Sequence, residues 1–83
     1  MQLLYFGWVR IRIGKDREQM DLPDGVTTVQ GLIESLRDRG SPYEEALTDI
    51  SMVRVAVNQE LTDLDAALAN GDEVALFPPM TGG

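Results

Sequence analysis

No cysteine and no histidine occur among the 83 residues, and tryptophan appears once. Without thiols the chain offers no disulfide framework, no iron–sulfur ligation and no cysteine nucleophile; without imidazole it lacks the usual zinc sites and His general bases. Any reactive sulfur must sit elsewhere than on a thiol. Basic residues are scarce, seven Lys and Arg against fourteen Asp and Glu, for a formal net charge of −7. That balance disfavours a nucleic-acid role, which needs clustered Lys and Arg against phosphate. It favours a basic partner, although an acidic surface equally serves solubility alone. No apolar run approaches the roughly 20 residues of a membrane span. Met1-Gln2-Leu3-Leu4-Tyr5 has neither the basic segment nor the apolar stretch of a signal peptide, so no membrane association and a cytoplasmic location are expected. The length allows one small domain with a single modest core, one layer of sheet with one helix.

What is present reads as an α+β pattern. Leu3 to Ile13 is rich in aromatic and branched residues, and its second half alternates apolar with basic, which predicts one long N-terminal strand. Gly14-Lys15-Asp16 predicts a turn, after which Arg17 to Leu22 returns as a polar, edge-like strand with Met20 and Leu22 facing inward, closing an opening hairpin. Thr27-Thr28-Val29-Gln30 fits a capping box based on Thr27. Val29, Leu32, Ile33 and Leu36 then form one apolar stripe of a helix that Gly40 ends. Ser41 to Leu47 reads as a short helical turn tucking Tyr43 and Leu47 under the core. Met52 to Asn58 is a strand with Val53, Val55 and Val57 on one face, followed by a turn at Asn58-Gln59-Glu60. Asp63 to Leu68 reads as a short helical turn, Asn70-Gly71-Asp72 as a turn, and Glu73 to Phe77 as the last strand. The first and last strands are the most apolar, which places them side by side and parallel at the centre of a mixed sheet, with the helix across one face. That is a ubiquitin-like β-grasp, with residues 1–77 as the domain and 78–83 as an extended C-terminal tail.

The tail is the candidate functional element. Pro78 and Pro79 fix φ near −65° and favour an extended path away from the body. Met80 and Thr81 follow, then Gly82 and Gly83, which lack Cβ atoms and can enter a channel too narrow for other residues. Extended at about 3.3 Å per residue, Pro78 to Gly83 spans roughly 20 Å, enough to cross a partner's surface into a buried site. The expected reactive group is the carboxylate of Gly83.

The N-terminal strand ending in Val9-Arg10, the Val57-Asn58-Gln59 turn, Asn70-Gly71-Asp72-Glu73-Val74 and Phe77-Pro78-Pro79-Met80-Thr81-Gly82-Gly83 together resemble the small subunits of molybdopterin synthase. The resemblance spans essentially the whole chain. A terminal diglycine alone is shared with ubiquitin-like modifiers and the thiamine-pathway sulfur carrier; the Gly-Asp-Glu-Val strand with the double proline is more specific. Met80 stands where the family often has a smaller aliphatic residue, and Trp8 is bulkier than usual.

The resemblance implies a sulfur carrier for molybdenum-cofactor biosynthesis that is not an enzyme by itself. An E1-like activating partner uses ATP to adenylate Gly83, a sulfur donor displaces AMP, and the resulting thiocarboxylate enters the large catalytic subunit, with a heterotetramer as the expected assembly. No cofactor is expected on the carrier itself. It also implies a hydrophobic docking patch of Phe6, Leu61 and Phe77 at the root of the tail. As central-strand residues, Phe6 and Phe77 are equally candidates for the core, whereas Leu61 beside a polar turn is the better candidate for exposure. The alternatives are a protein modifier conjugated through Gly83, the thiamine-pathway carrier, or a plain interaction module with an idle tail.

Other constellations carry less. Asp63-x-Asp65 and Asp72-Glu73 lie near turns, where acidic pairs usually cap or face water, so no metal is expected. Arg10, Arg12 and Lys15 read as a solvated strand face. Ser35, Ser41 and Ser51 have no His to activate them.

Overall fold

The computed structural model describes residues 1–79. Strand β1 (Gln2–Tyr5) lies parallel to the last strand, β5 (Glu73–Phe77), in the register Gln2↔Glu73 to Tyr5↔Leu76. On its other side β5 pairs antiparallel with β3 (Arg54–Val57). With β2 (Arg17–Gln19) outside β1 and β4 (Glu60–Thr62) outside β3, the mixed sheet runs β2-β1-β5-β3-β4. The two most apolar strands therefore sit beside each other in the interior of the sheet, as their composition implied.

The long N-terminal strand does not form. Backbone direction changes at Gly7, whose φ is +58°, and Gly7–Ile13 is a helix, α1. Val9 and Ile13, four residues apart, point into the core. Trp8 and Arg12, also four apart, form an outer pair with the guanidinium 4.7 Å from the ring centroid. The apolar-basic alternation misled because Ile11, counted with Val9 and Ile13 in a strand, is 75% exposed. Gly14, at φ +91°, ends the helix by donating its amide to the Arg10 carbonyl. Thus β1 and β2 do pair antiparallel, but through a helix rather than a tight turn. Arg10 and Arg12 occupy the last turn of α1, where cations oppose the helix dipole, and not a strand face.

Helix α2 (Val29–Arg37) is capped one residue later than expected: the Thr28 hydroxyl, not that of Thr27, accepts from the amide of Gly31 at 3.2 Å. Its stripe of Val29, Leu32, Ile33 and Leu36 is fully buried, and Gly40 adopts φ +83° just beyond. Asp63 to Leu68 forms no helix. Instead the carbonyls of Leu64 and Ala66 accept the amides of Gln30 and Val29, so this segment satisfies donors that the start of α2 would otherwise leave unpaired. A single bridge between Thr28 and Ala67 fixes it there. Helix α3 (Tyr43–Ala46) buries Tyr43 and is followed by buried Leu47, as expected.

Strand β4 has no counterpart among the expected elements. Asn58 and Gln59 take φ of +51° and +70°, a two-residue reversal that lays Glu60–Thr62 back along β3.

One polar cluster ties the layers together. The hydroxyls of Tyr5 on β1 and Tyr43 on α3 both donate to Glu18 Oε2 at 2.7 Å, and Arg39 donates to Oε1 at 2.9 Å. Burial alone would raise the pKa of Glu18; the donors from Tyr43, Tyr5 and Arg39 outweigh it and hold the carboxyl below its ordinary value. Burial, reinforced by the same carboxylate, pushes the Tyr5 phenol well above its usual range.

Candidate functional site

The root of the tail is built by β5. Because this strand is bonded on both flanks, Phe77 is held in register opposite Arg54, and Pro78 starts from a fixed point. Proline donates no amide, so the ladder ends there. The ring of Pro78 lies against the backbone of Gly7, where an added Cβ would stand 2.7 Å from Pro78 Cγ and 2.8 Å from Cδ. Side-chain-free backbone at the start of α1 thus makes the notch from which the chain departs. Sequence reasoning missed Gly7, treating it as an interior strand position; a glycine between two aromatics, ahead of a pattern bounded by Gly14, was the available signal.

Of the expected docking residues, Leu61 is 72% and Phe6 49% exposed, and Phe77 is half-buried; none belongs to the buried core. Phe6 donates its amide to the Leu76 carbonyl, which sets it beside Phe77. Leu61 stands opposite Ala56, which in turn stands opposite Ala75 on β5. Phe6 and Phe77 therefore lie at the end of the sheet where the tail begins, and Leu61 lies in the row of Ala75, two residues along β5 from Phe77. Pro78 and Pro79 are half-buried. Met80, Thr81, Gly82 and Gly83 lie outside the described residues.

One of the acidic pairs has a structural role at Asp72. Asp72 accepts from the Ala69 amide and from the Asn58 side chain, and these bonds, the backbone one foremost, lower its pKa. Among the described residues no cluster of three or more His, Cys, Asp or Glu could hold a metal ion. A groove of about 540 Å³ is lined by Trp8, Arg12, Glu45, Thr48, Asp49 and Met52, and among the described residues Phe6, Leu61, Phe77, Pro78 and Pro79 do not border it. No described helix is long and apolar enough to cross a membrane.

A mixed sheet grasping a helix, with its interior strand leading directly into the C-terminal segment, defines a ubiquitin-like β-grasp domain. The chain belongs to the ThiS family, whose profile matches residues 3–83. It is 39% identical to the molybdopterin synthase sulfur carrier subunit of Haemophilus influenzae, over all of this chain and 99% of that one. Among solved structures it resembles a putative molybdopterin converting factor subunit 1 from Pyrococcus furiosus, with a TM-score of 0.76, 32% identity and 95% of each chain covered. It also resembles the small archaeal modifier protein 1 of H. volcanii, with a TM-score of 0.73, 27% identity and 95% of each chain covered. The chain is accordingly a homologue of the sulfur-carrier small subunits of molybdopterin synthase, the group its own motifs resemble.

Proposed function

We propose that this protein carries sulfur for molybdopterin synthesis as a thiocarboxylate on Gly83, working in the cytoplasm without a bound cofactor. The observation that carries this reading is the match to the Haemophilus influenzae carrier subunit, which spans the whole chain and so includes the diglycine. The chemistry agrees with the residues. A free α-carboxyl has a pKa of about 3.3 to 3.7, so at neutral pH it is an anion that repels nucleophiles. Adenylation by an E1-like partner, with release of pyrophosphate from ATP, removes that charge and supplies AMP as leaving group. Sulfur delivered at the sulfide level then attacks the acyl carbon and expels AMP, which carries off one carboxylate oxygen, so that sulfur stands in its place. No step needs a side chain of the carrier, in keeping with a chain that has neither His nor Cys.

Delivery belongs to the large catalytic subunit, in a heterotetramer. Residues 78–83 enter its active site, Phe6, Leu61 and Phe77 rest on its surface, and positive charge inside receives the tip. Holding the thiocarboxylate beside the pterin precursor makes transfer effectively unimolecular.

Intact-mass measurement after incubation with ATP, the cognate activating enzyme and a sulfur donor tests the reading. Exchange of one oxygen for sulfur at Gly83 is expected, and a mass that never changes refutes it. Deleting Gly82 and Gly83 is expected to abolish the exchange while leaving the melting temperature unchanged.

The likeness to an archaeal modifier protein supports a second reading, conjugation of Gly83 to lysines. Higher-mass adducts that survive denaturation and vanish with the diglycine deletion would favour it.

A further inference from the structure

Six of the seven basic residues are arginine, and Lys15 is the one lysine of the chain. Five of the seven are set about the end of the sheet where the tail begins. Arg54 stands opposite Phe77, and Arg17 stands opposite Leu4. Arg10 and Arg12 follow Gly7, whose backbone meets Pro78, within two turns of α1. Lys15 precedes Asp16, whose carbonyl accepts the amide of Tyr5, and Tyr5 in turn stands opposite Leu76. Two strand spacings, about 10 Å, therefore separate the backbone beside Lys15 from β5. Pro78 to Gly83 spans roughly 20 Å when extended. By chain length alone, the end of the molecule can return to each of these cations.

Arginine and lysine differ there in one respect. Both supply positive charge, but a guanidinium keeps its proton up to a pH above about 12, whereas an ammonium gives one up more readily and then has a lone pair that attacks acyl groups. Lys15 is restrained as well. Its ammonium lies 3.9 Å from a Glu18 oxygen and 5.8 Å from the centroid of the Tyr43 ring. Tyr43 first and Glu18 second hold its pKa above the ordinary lysine value, against the opposing charge of Arg39. The nitrogen of Met1 lies at the far end of β1 and donates to the Met20 carbonyl at 2.8 Å.

We propose that the domain is built as a poor acceptor for its own activated end: arginine supplies the charge around the root of the tail, and the one lysine within reach is held as an ammonium by Glu18 and Tyr43. The inference rests on the activation step of the carrier reading above. The reaction avoided is acyl transfer to nitrogen. A neutral amine would attack the Gly83 carbonyl carbon, expel AMP with the electron pair of the breaking acyl C–O bond, and lose a proton to water, closing a stable amide. As an ammonium, Lys15 has no lone pair for that step. The acyl group is then left to an incoming sulfur nucleophile or, in the second reading, to lysines of other proteins.

Intact-mass measurement on the full chain carrying Gly83 as a thioester, a stand-in for the activated end, tests this. Held alone at mildly alkaline pH, the wild type is expected to hydrolyse to the free acid. Arg54→Lys is expected to close an internal amide, read as the loss of one water from the mass of the acid, in about tenfold or more the wild-type amount. Glu18→Gln is expected to raise amide formation several-fold, with the cross-link mapped to Lys15 by peptide digestion, and Lys15→Arg in that background to abolish it. A wild type that closes the amide at Lys15 as readily as Arg54→Lys does overturns the proposal, and so does an Arg54→Lys protein that only hydrolyses or a folded Glu18→Gln protein that closes no more amide than wild type. All three leave the carrier reading standing. That reading fails instead, and the proposal with it, if the cognate activating enzyme never releases pyrophosphate from ATP in the presence of the wild-type chain. Arg54 is exposed and its exchange for lysine keeps the charge, so this variant decides the matter even if Glu18→Gln loses its fold.

Discussion

Glu18 ties several elements together, because its two oxygens hold β1, α3 and the segment after α2 to the edge strand. Replacing it with Gln removes the charge that three donors address. Glu18→Gln is expected to cost roughly 1–3 kcal/mol, measured by urea unfolding at pH 7. The sign of the pH effect follows from its lowered pKa. The contribution is complete above the ordinary glutamate value of about 4.3 and is lost as pH falls through the folded-state value. Wild type should therefore shed its advantage over Glu18→Gln on acidification below about pH 5. A difference between the two proteins that stays constant down to pH 3 would refute the assignment. Gly7 makes a separate demand. Gly7→Val would place a branched side chain both at positive φ and against the ring of Pro78. A loss of about 1–3 kcal/mol is expected, with NMR shifts of Pro78 and Pro79 moving most. Wild-type stability together with unmoved proline signals would show that the notch is not needed.

Elements with one dominant period were legible in the sequence, and those held by partners were not. The stripe of Val29, Leu32, Ile33 and Leu36 announced α2, and Glu73–Phe77 announced β5, because burial and periodicity agree in both. In α1 two periods compete: Val9, Ile11 and Ile13 satisfy a strand, while Val9 with Ile13 and Trp8 with Arg12 satisfy a helix. Only tertiary packing, which buries Val9 and Ile13 and leaves Ile11 in water, decides. Arginines ahead of Gly14 were the helix-stop signal that alternation masked. Strand β4 offers one apolar residue in three and exists through its ladder to β3. At the candidate site, Phe77 and the double proline were readable from order alone, whereas the notch at Gly7 and the facing alanines require strand register. The β3–β4 reversal supplies a test of its own. Gln59 sits at φ +70°, a conformation that suits glycine. Gln59→Gly is expected to raise stability by about 0.5–1 kcal/mol, checked by thermal unfolding, and a drop instead would mean that the Gln59 side chain contributes more than the backbone strain removes.

Fourteen acidic residues on 83 positions make self-repulsion a property of the whole domain. Among the described residues there are three ion pairs, of which Arg39–Glu18 at 2.9 Å is the short one; Lys15–Glu18 and Arg17–Asp16 are both 3.9 Å long, with Lys15, Arg17 and Asp16 exposed. Such pairs contribute little, so screening should relieve more repulsion than it removes attraction. The melting temperature at pH 7 is expected to rise as sodium chloride is raised from low to about 0.5 M, where the Debye length falls to a few ångströms. A fall would mean that Glu18 and Arg39 dominate the electrostatics. The position of β5 has a mechanical consequence. Hydrogen bonds to β1 and β3 run across the strand, so a pull on Pro78 along the direction of β5 loads both ladders in shear, all bonds together, instead of unzipping them one at a time. A partner could tug this chain repeatedly into and out of a tight channel and return the domain intact, ready for another round.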